Sequence, residues 1–212
     1  MGRRLWQSAL LVVMLLLPSL VLAATTPSDV DSNTQALVDE MNLARTNPAG
    51  YVAYLEEHKR NFQGALRVWV NGRRFRLVEG LSAVDEAIAF LKKAQPLQPL
   101  KGSRALGLSA RDHAVDLGTR GKDGHVGGDG SNYLQRVQRY GQPSSVGEAI
   151  SFGHNTARGA VIQLIVDDGI ADRGHRLTIF EPNYRFAGAA IAPHTVYEYV
   201  CVIDFADEIQ EK

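Results

Sequence analysis

The chain has 212 residues, with 23 basic and 23 acidic side chains and a formal net charge of zero at pH 7. This balance, without a basic stripe, argues against binding to nucleic acid or to an anionic membrane surface. Cys201 is the single cysteine, which excludes an internal disulfide, so the core must be stable without cross-links. The apolar run around Cys201 predicts a small buried side chain there, not a reactive thiol.

The N-terminus has the pattern of an export signal. Two arginines precede an apolar run over residues 9–17, Pro18 and Ser19 break this run, and Val21-Leu22-Ala23 ends it with the −3 and −1 residues of a cleavage site. The alternative is a membrane anchor, but the run is shorter than the roughly 20 residues that a spanning helix needs. We therefore predict a signal peptide over residues 1–23, a flexible leader over 24–33 and an exported chain, periplasmic or secreted, without a stable membrane anchor.

Helical patterns begin the mature chain. Apolar residues at helical spacing predict one helix from about Ser32 and a second after Pro48, a residue that is favoured at a first helical position. A later helix is predicted from about Ser109, because Ser109 and Asp112 have the spacing of a helix-capping pair.

Residues 61–104 are predicted to be an insertion between these helices. Asn71-Gly72 lies between two β-type runs, which favours a two-residue hairpin turn. Ser82 and Asp85 again have the spacing of a capping pair, and an apolar helical face follows them. The insertion therefore consists of a hairpin, a helix and a proline-rich return.

Strand patterns dominate the C-terminal part. Residues 146–152, 186–192 and 196–205 predict strands, and short helices are predicted from Ser131 and Thr156. The last strand is fairly apolar on both faces, which is typical of a central strand covered on both sides. Helices before and between strands, with a hairpin at the end, predict an α+β fold with layers around an antiparallel sheet.

Two histidines and three acids in the second half are candidate functional residues. His125 and His175 each follow a glycine, Glu148 interrupts an apolar strand, and Asp167 and Asp168 close a predicted helix. Each residue alone also fits a solvated turn or a paired structural acid. Together, two neutral imidazoles can bind a divalent cation, and nearby acids can orient them or act as a general base toward bound water. Sequence spacing does not show that these groups meet.

Several sequence blocks occur in a characteristic order. They are 42–48, 108–114, Gly124-His125, 146–150, Gly174-His175-Arg176 and the closing strands. Together these blocks resemble the CAP superfamily, the cysteine-rich secretory protein, antigen 5 and pathogenesis-related 1 group, over residues 34–207. The resemblance implies a three-layer α-β-α sandwich around a small antiparallel sheet. The insertion and the lack of disulfides are similar to bacterial members.

The resemblance also implies a cleft with two histidines and two acids. His125 and His175 match the family histidines that bind a divalent cation in some members, and zinc is the metal that we name. Glu148 matches the first family acid, for which we predict a catalytic role. Asp167 or Asp168 stands where the family has a second glutamate, and we favour Asp168 as the other catalytic residue.

Three functions are compatible with these residues. We rank first a binding or interaction module for an unknown envelope or extracellular ligand. A metal-assisted hydrolase comes second, with Glu148 as the base and Asp168 as an orienting acid. A lipid or sterol carrier, known among family members, comes third because no exposed apolar helix is predicted. Whether the chain is an enzyme stays open, because a fold does not fix a function.

Overall fold

The computed structural model of the chain describes residues 31–64, 67–70 and 73–212. The predicted signal peptide, most of the predicted leader and the Asn71-Gly72 turn lie outside these residues. The described helices and strands, in chain order, are α1 (Ser32–Thr46), α2 (Pro48–Lys59), β1 (Arg67–Val70), β2 (Arg73–Arg76), α3 (Leu81–Leu91), β3 (Lys101–Gly102), α4 (Arg104–Arg120), α5 (Tyr133–Val137), β4 (Gly141–Pro143), β5 (Val146–Phe152), α6 (Ala157–Val166), α7 (Gly174–Ile179), β6 (Phe186–His194), β7 (Glu198–Ala206) and β8 (Ile209–Glu211).

A four-stranded sheet forms the centre of the fold, with the strand order β3-β6-β7-β5. The short β3 pairs parallel to β6, and the other pairs are antiparallel. Strand β7 lies between β6 and β5, so it is the central strand that its two apolar faces predict. Strand β5 spans Val146–Phe152, the same bounds as the sequence prediction, and it is an edge strand.

Helices cover both faces of this sheet and give it two apolar cores. On one face, Cys201 and Ile203 of β7 pack in a core with residues from α1, α2, α3 and α6. On the other face, Val200 and Val202 of the same strand pack against α4. This alternation is the period-2 pattern of a strand buried on both sides. The three-layer α-β-α sandwich is therefore confirmed.

Two helix starts differ from the sequence prediction. Helix α1 begins at Ser32 as predicted, after its cap Asp31, so the last two residues of the predicted leader, 32 and 33, are helical. Helix α4 begins directly after its cap Ser103, and Ser109 lies fully buried within it. Helix α3 follows Gly80, which makes Ser82 its second residue and not its cap. A capping pattern inside a helix cannot be distinguished by sequence from one at its start.

The beginning of α4 lies unusually close to the sheet. A Cβ atom built on Gly188 of β6 would lie 2.0 Å from the backbone nitrogen of Gly107 in α4. Only glycine at position 188 permits this approach, since no side chain fits between the helix and the strand. Helix α4 starts where the Ser103 side chain accepts a hydrogen bond from the backbone N–H of Leu106, and the helix packs on β6.

Arg45 connects the end of the insertion to the C-terminal part of the fold. Its side chain is fully buried and donates hydrogen bonds to the carbonyl oxygens of Gln98, Ile179 and Tyr184, among others. Burial is the main reason that the pKa of Arg45 falls to about 10. These hydrogen bonds to backbone carbonyl oxygens satisfy the buried guanidinium and fix α7, which carries His175, relative to α1.

Candidate functional site: two histidine–carboxylate pairs

The first predicted histidine and the first predicted acid form a pair. His125 Nδ1 lies 2.7 Å from Glu148 Oε1, and the other carboxylate oxygen accepts a 2.5 Å hydrogen bond from Arg136 Nη2. The Glu148 and Arg136 side chains are 0% and 2% exposed, whereas the His125 side chain is 47% exposed. A buried carboxylate thus holds one side of an imidazole whose other side faces solvent.

The loop that carries His125 is fixed by two further histidines. His113 Nε2 lies 2.9 Å from the Gly124 carbonyl oxygen, and His194 Nε2 lies 2.9 Å from that of Lys122. Because a carbonyl oxygen only accepts, both rings donate from Nε2. His113 is fully buried, and burial is the main cause that lowers its pKa. These histidines therefore position His125 and are not themselves candidate ligands.

The second predicted histidine pairs with Asp167. His175 Nδ1 lies 2.7 Å from Asp167 Oδ1, and the backbone N–H of His175 donates to Oδ2 over 2.9 Å. Asp167 ends α6 in the left-handed conformation, with φ 56°, which aspartate adopts more readily than most residues. This backbone turn brings its 3% exposed carboxylate to the start of α7, while the His175 side chain is 23% exposed.

Asp168, which the sequence analysis favoured as the second acid, has a different position. Its carboxylate accepts hydrogen bonds from the backbone N–H groups of Val78, Glu79 and Gly80, at 2.7–2.8 Å. The two aspartates diverge because Asp167 takes the left-handed turn and Asp168 follows it. The structure therefore corrects this assignment: Asp167 is the acid beside His175, and Asp168 attaches the insertion to the end of α6.

A further buried acid lies next to Glu148. Asp204 of β7 is the register partner of Glu148 across the β5–β7 ladder, and it is fully buried. Burial, followed by repulsion from Glu148, raises the pKa of Asp204. Neither Asp204 nor Arg136 was predicted from the sequence as a site residue. Asp204 had a signal, because a lone acid inside an apolar strand run must be neutralised or paired.

Both pairs adjoin the edge strand β5. Glu148 lies on β5, and α7, whose second residue is His175, packs against the same strand. Within residues 31–64, 67–70 and 73–212, however, no group of three or more histidine, cysteine, aspartate or glutamate side chains is arranged to hold a metal ion. The carboxylates of Glu148, Asp167 and Asp168 are hydrogen-bonded to imidazoles, to Arg136 or to backbone groups, which leaves the two imidazoles as candidate donors.

The chemistry of each pair follows from its hydrogen bonds. A carboxylate only accepts, so Nδ1 of His125 and of His175 carries a proton and the neutral ring has its lone pair on Nε2. No described residue forms a hydrogen bond with either Nε2 atom. Each pair therefore presents a fixed nitrogen lone pair, which can accept a hydrogen bond or donate to a cation.

The α-β-α sandwich and its two histidine–carboxylate pairs define the structural class of this chain. The chain also matches the CAP family, described as the cysteine-rich secretory protein family, over residues 38–205. It belongs to this family, because the match covers most of the chain. CAP domains are generally extracellular. In the part of the chain that the structure describes, no helix is long and apolar enough to cross a membrane.

Two solved structures are similar to this chain. An outer surface protein from Borrelia burgdorferi is 19% identical, with a TM-score of 0.45, over 55% of this chain and 80% of that protein. An extracellular protein containing a SCP domain from Bacillus anthracis is 17% identical, with a TM-score of 0.44, over 61% of this chain and 38% of that protein. A comparison with curated proteins gives no match.

Proposed function

We propose that this chain is an exported binding module that contacts its extracellular ligand through the Nε2 atoms of His125 and His175. One observation carries the proposal: each imidazole is held at Nδ1 by a buried carboxylate, while its Nε2 atom has no hydrogen-bond partner among the described residues. By contrast, His113 and His194, which hold the loop of His125, donate from Nε2 to backbone carbonyl oxygens.

A divalent cation such as zinc is the first ligand to test. Neutral imidazoles that a carboxylate orients are good zinc donors, and Asp167 and Glu148 fit the role of the orienting acids. With two imidazoles as the protein donors, the remaining coordination positions would belong to water or to a bound partner. We therefore propose an exchangeable ion that a chelator removes, not a structural ion on which folding depends.

The hydrolase alternative has a specific weakness in this site. Glu148 was predicted to be the general base, but its oxygens are bonded to His125 and Arg136 and its side chain is 0% exposed. A base must reach the proton that it removes, directly or through one water. Asp168, the predicted orienting acid, is bonded to the insertion. The site therefore favours binding over hydrolysis.

Zinc stoichiometry after equilibrium dialysis tests the proposal. We expect about one ion per chain for the protein that starts at Ala24, and a clear loss in His125→Ala and in His175→Ala. His58→Ala is the matched control, because His58 belongs to neither pair, and it should bind as the wild type does. Zinc binding that persists at the same stoichiometry after both histidines are replaced would refute the metal part of the proposal.

A turnover assay tests the choice between binding and catalysis. The purified chain is incubated with a peptide mixture and with simple esters, and products are followed by mass spectrometry. We expect no turnover above that of His125→Ala. Hydrolysis by the wild type that disappears in His125→Ala would refute the binding module and establish an enzyme.

A further inference from the structure

The outer edge of β5 adjoins both histidine–carboxylate pairs. Strand β5 is the last strand in the order β3-β6-β7-β5, and among the described strands only β7 pairs with it. Its residue Glu148 bonds to His125, and α7, which carries His175, packs against the same strand. An unpaired edge presents backbone N–H and C=O groups to any extended chain that lies beside it.

The hydrogen bonds at the end of β5 show which of its backbone groups face this outer edge. Gly153 donates its N–H to a carbonyl oxygen of β7 over 2.9 Å. In an antiparallel ladder, residues bonded to the neighbouring strand alternate with residues whose backbone groups point away from it. Glu148 and Ile150 therefore direct their N–H and C=O groups away from β7. Phe152 has the same phase, because Gln163 Oε1 accepts its N–H over 3.0 Å.

These outward backbone groups are accessible from solvent. The residue Glu148 is 7% exposed, but its side chain is 0% exposed, so its accessible surface belongs to the backbone. Within the part of the chain that the structure describes, the backbone of Glu148 and of Ile150 forms no hydrogen bond outward from the ladder. The open edge thus offers two donors and two acceptors to an extended chain, and the Gln163 contact with Phe152 ends it.

A cavity beside this edge carries negative charge. Its volume is about 260 Å³, and Ile150 and Phe152 of β5 line it together with Asp167, Asp168 and His175. Among the described residues, only neutral groups donate to the two aspartates, namely backbone N–H groups and the imidazole of His175. Hydrogen bonds from neutral donors leave the charge of a carboxylate in place. The cavity wall therefore contains two negative charges.

The arginines around the cavity do not cancel these two charges. Arg173 donates to Glu79 over 2.7 Å and to Glu86 over 2.5 Å, and Arg176 donates to Glu86 over 2.9 Å. Two arginines are thus matched by two glutamates. Arg76, which also lines the cavity, is exposed, so its charge is screened by solvent.

Two histidines in the cavity wall add no positive charge. His58 and His154 line the cavity, and burial lowers the pKa of both, that of His154 to about 4. Both rings are therefore neutral near pH 7. The side chain of Asp167 is only 3% exposed, and a buried charge attracts an opposite charge more strongly than a solvated one does. The cavity therefore complements a cationic side chain and disfavours an acidic one.

We propose that the outer edge of β5 pairs with an extended peptide segment of a partner protein, which adds a strand to the sheet and places a lysine or arginine side chain in the cavity beside Asp167 and Asp168. Backbone hydrogen bonds to Glu148 and Ile150 supply affinity, and the charged cavity selects the side chain. The inference rests on the proposed function and deepens it, because it names a basic peptide as the ligand of the same site.

Two peptide libraries test the proposal on the chain that starts at Ala24. Immobilised peptides of about seven residues carry a central lysine in one library and a central glutamate in the other, with all other positions randomised. We expect specific binders only from the lysine library, and at least tenfold weaker binding when that lysine is replaced by glutamine. No binder, or equal binding of the lysine and glutamate forms, would overturn the proposal.

Methylated peptides test the strand pairing itself. N-methylation of alternate amides in the best lysine peptide removes the donors on one edge of its strand. One alternate set should abolish binding and the other should preserve it, because only one edge of the peptide faces β5. In the complex, the amide signals of Glu148 and Ile150 should move downfield, whereas those of Gly147 and Ala149, already bonded to β7, should change little. Equal effects of both methylated sets, or unchanged Glu148 and Ile150 signals, would overturn the pairing.

A proline substitution tests the edge from the side of the protein. Ile150→Pro removes an outward N–H and obstructs the edge without removing a bond to β7. Ile150→Ala is the matched control, because it loses the packing of the side chain but keeps the N–H. We expect loss of peptide binding in the proline variant alone, and equal binding by both folded variants would refute the assignment. If Ile150→Pro does not fold, the methylated peptides decide the question on the wild type.

The peptide titrations contain EDTA, because strand pairing requires no metal ion. This condition separates the inference from the proposed function. A chain that binds the lysine peptide but no zinc supports the strand pairing and refutes only the metal part of the proposed function. A chain that binds one zinc ion but no peptide overturns the strand pairing and leaves the histidine site standing.

Discussion

Replacing Glu148 by glutamine tests whether the buried ion pair with Arg136 stabilises the site. The substitution keeps the shape of the side chain but removes its charge, and it leaves the Arg136 guanidinium, only 2% exposed, without a carboxylate. Breaking a buried pair in this way costs about 3–5 kcal/mol. We expect a cost at the lower end of this range, because Arg136 also donates hydrogen bonds to the carbonyl oxygens of His125 and Ser131. For a chain of this size, about 3 kcal/mol corresponds to a fall in Tm of roughly 6–12 °C.

Thermal unfolding followed by circular dichroism measures this effect, with urea unfolding as an independent check. Asp204→Asn is the matched control, since Asp204 is the register partner of Glu148 but, among the described residues, receives no hydrogen bond from Arg136. We expect it to lower Tm at pH 7 by much less than Glu148→Gln does. A decrease of less than about 3 °C for Glu148→Gln, where at least about 6 °C is expected, would refute the buried ion pair.

Two further predictions concern buried titratable groups. Because burial and Glu148 raise the pKa of Asp204, the folded chain keeps a proton that the unfolded chain releases above about pH 4. This contribution to the free energy of unfolding is therefore full at low pH and is lost as the pH rises. We expect the decrease in the free energy of unfolding caused by Asp204→Asn to become smaller from about pH 4 to pH 7. The same decrease at both pH values, measured by urea unfolding, would contradict this prediction. Cys201 is 0% exposed, and this burial raises the pKa of its thiol to about 12. We expect no reaction with a thiol reagent near pH 8 until guanidinium unfolds the chain, and rapid labelling of the native protein would contradict this.

Local patterns predicted the sheet better than the helix boundaries. The alternation in Val146–Phe152 and the two apolar faces of β7 depend on which residues are buried, and burial leaves a direct trace in the sequence. The start of α4 does not, because Ser103 and Ser109 both fit a local capping pattern, and only the tertiary packing shows that Ser103 is the cap and that Ser109 is buried. The short strands β3, β4 and β8 were not predicted, since strands of two or three residues have no measurable periodicity.

For the site, the resemblance to the family singled out His125, His175 and Glu148, and the structure gives each histidine a carboxylate partner. It did not single out Arg136, because a charged residue on a short helix is ordinarily solvent-exposed. Here its guanidinium is buried against Glu148 and the loop carbonyls.

The sequence patterns determined the α+β class and the apolar faces, and the resemblance to the family implied the layer order and the residues of the candidate site. The choice between Asp167 and Asp168 was decided only by the tertiary structure. The two residues are chemically identical and adjacent, but the left-handed backbone of Asp167 directs one carboxylate to His175, while the other meets the insertion. No local preference distinguishes them, because the partners that separate them are backbone and side-chain groups brought together by folding.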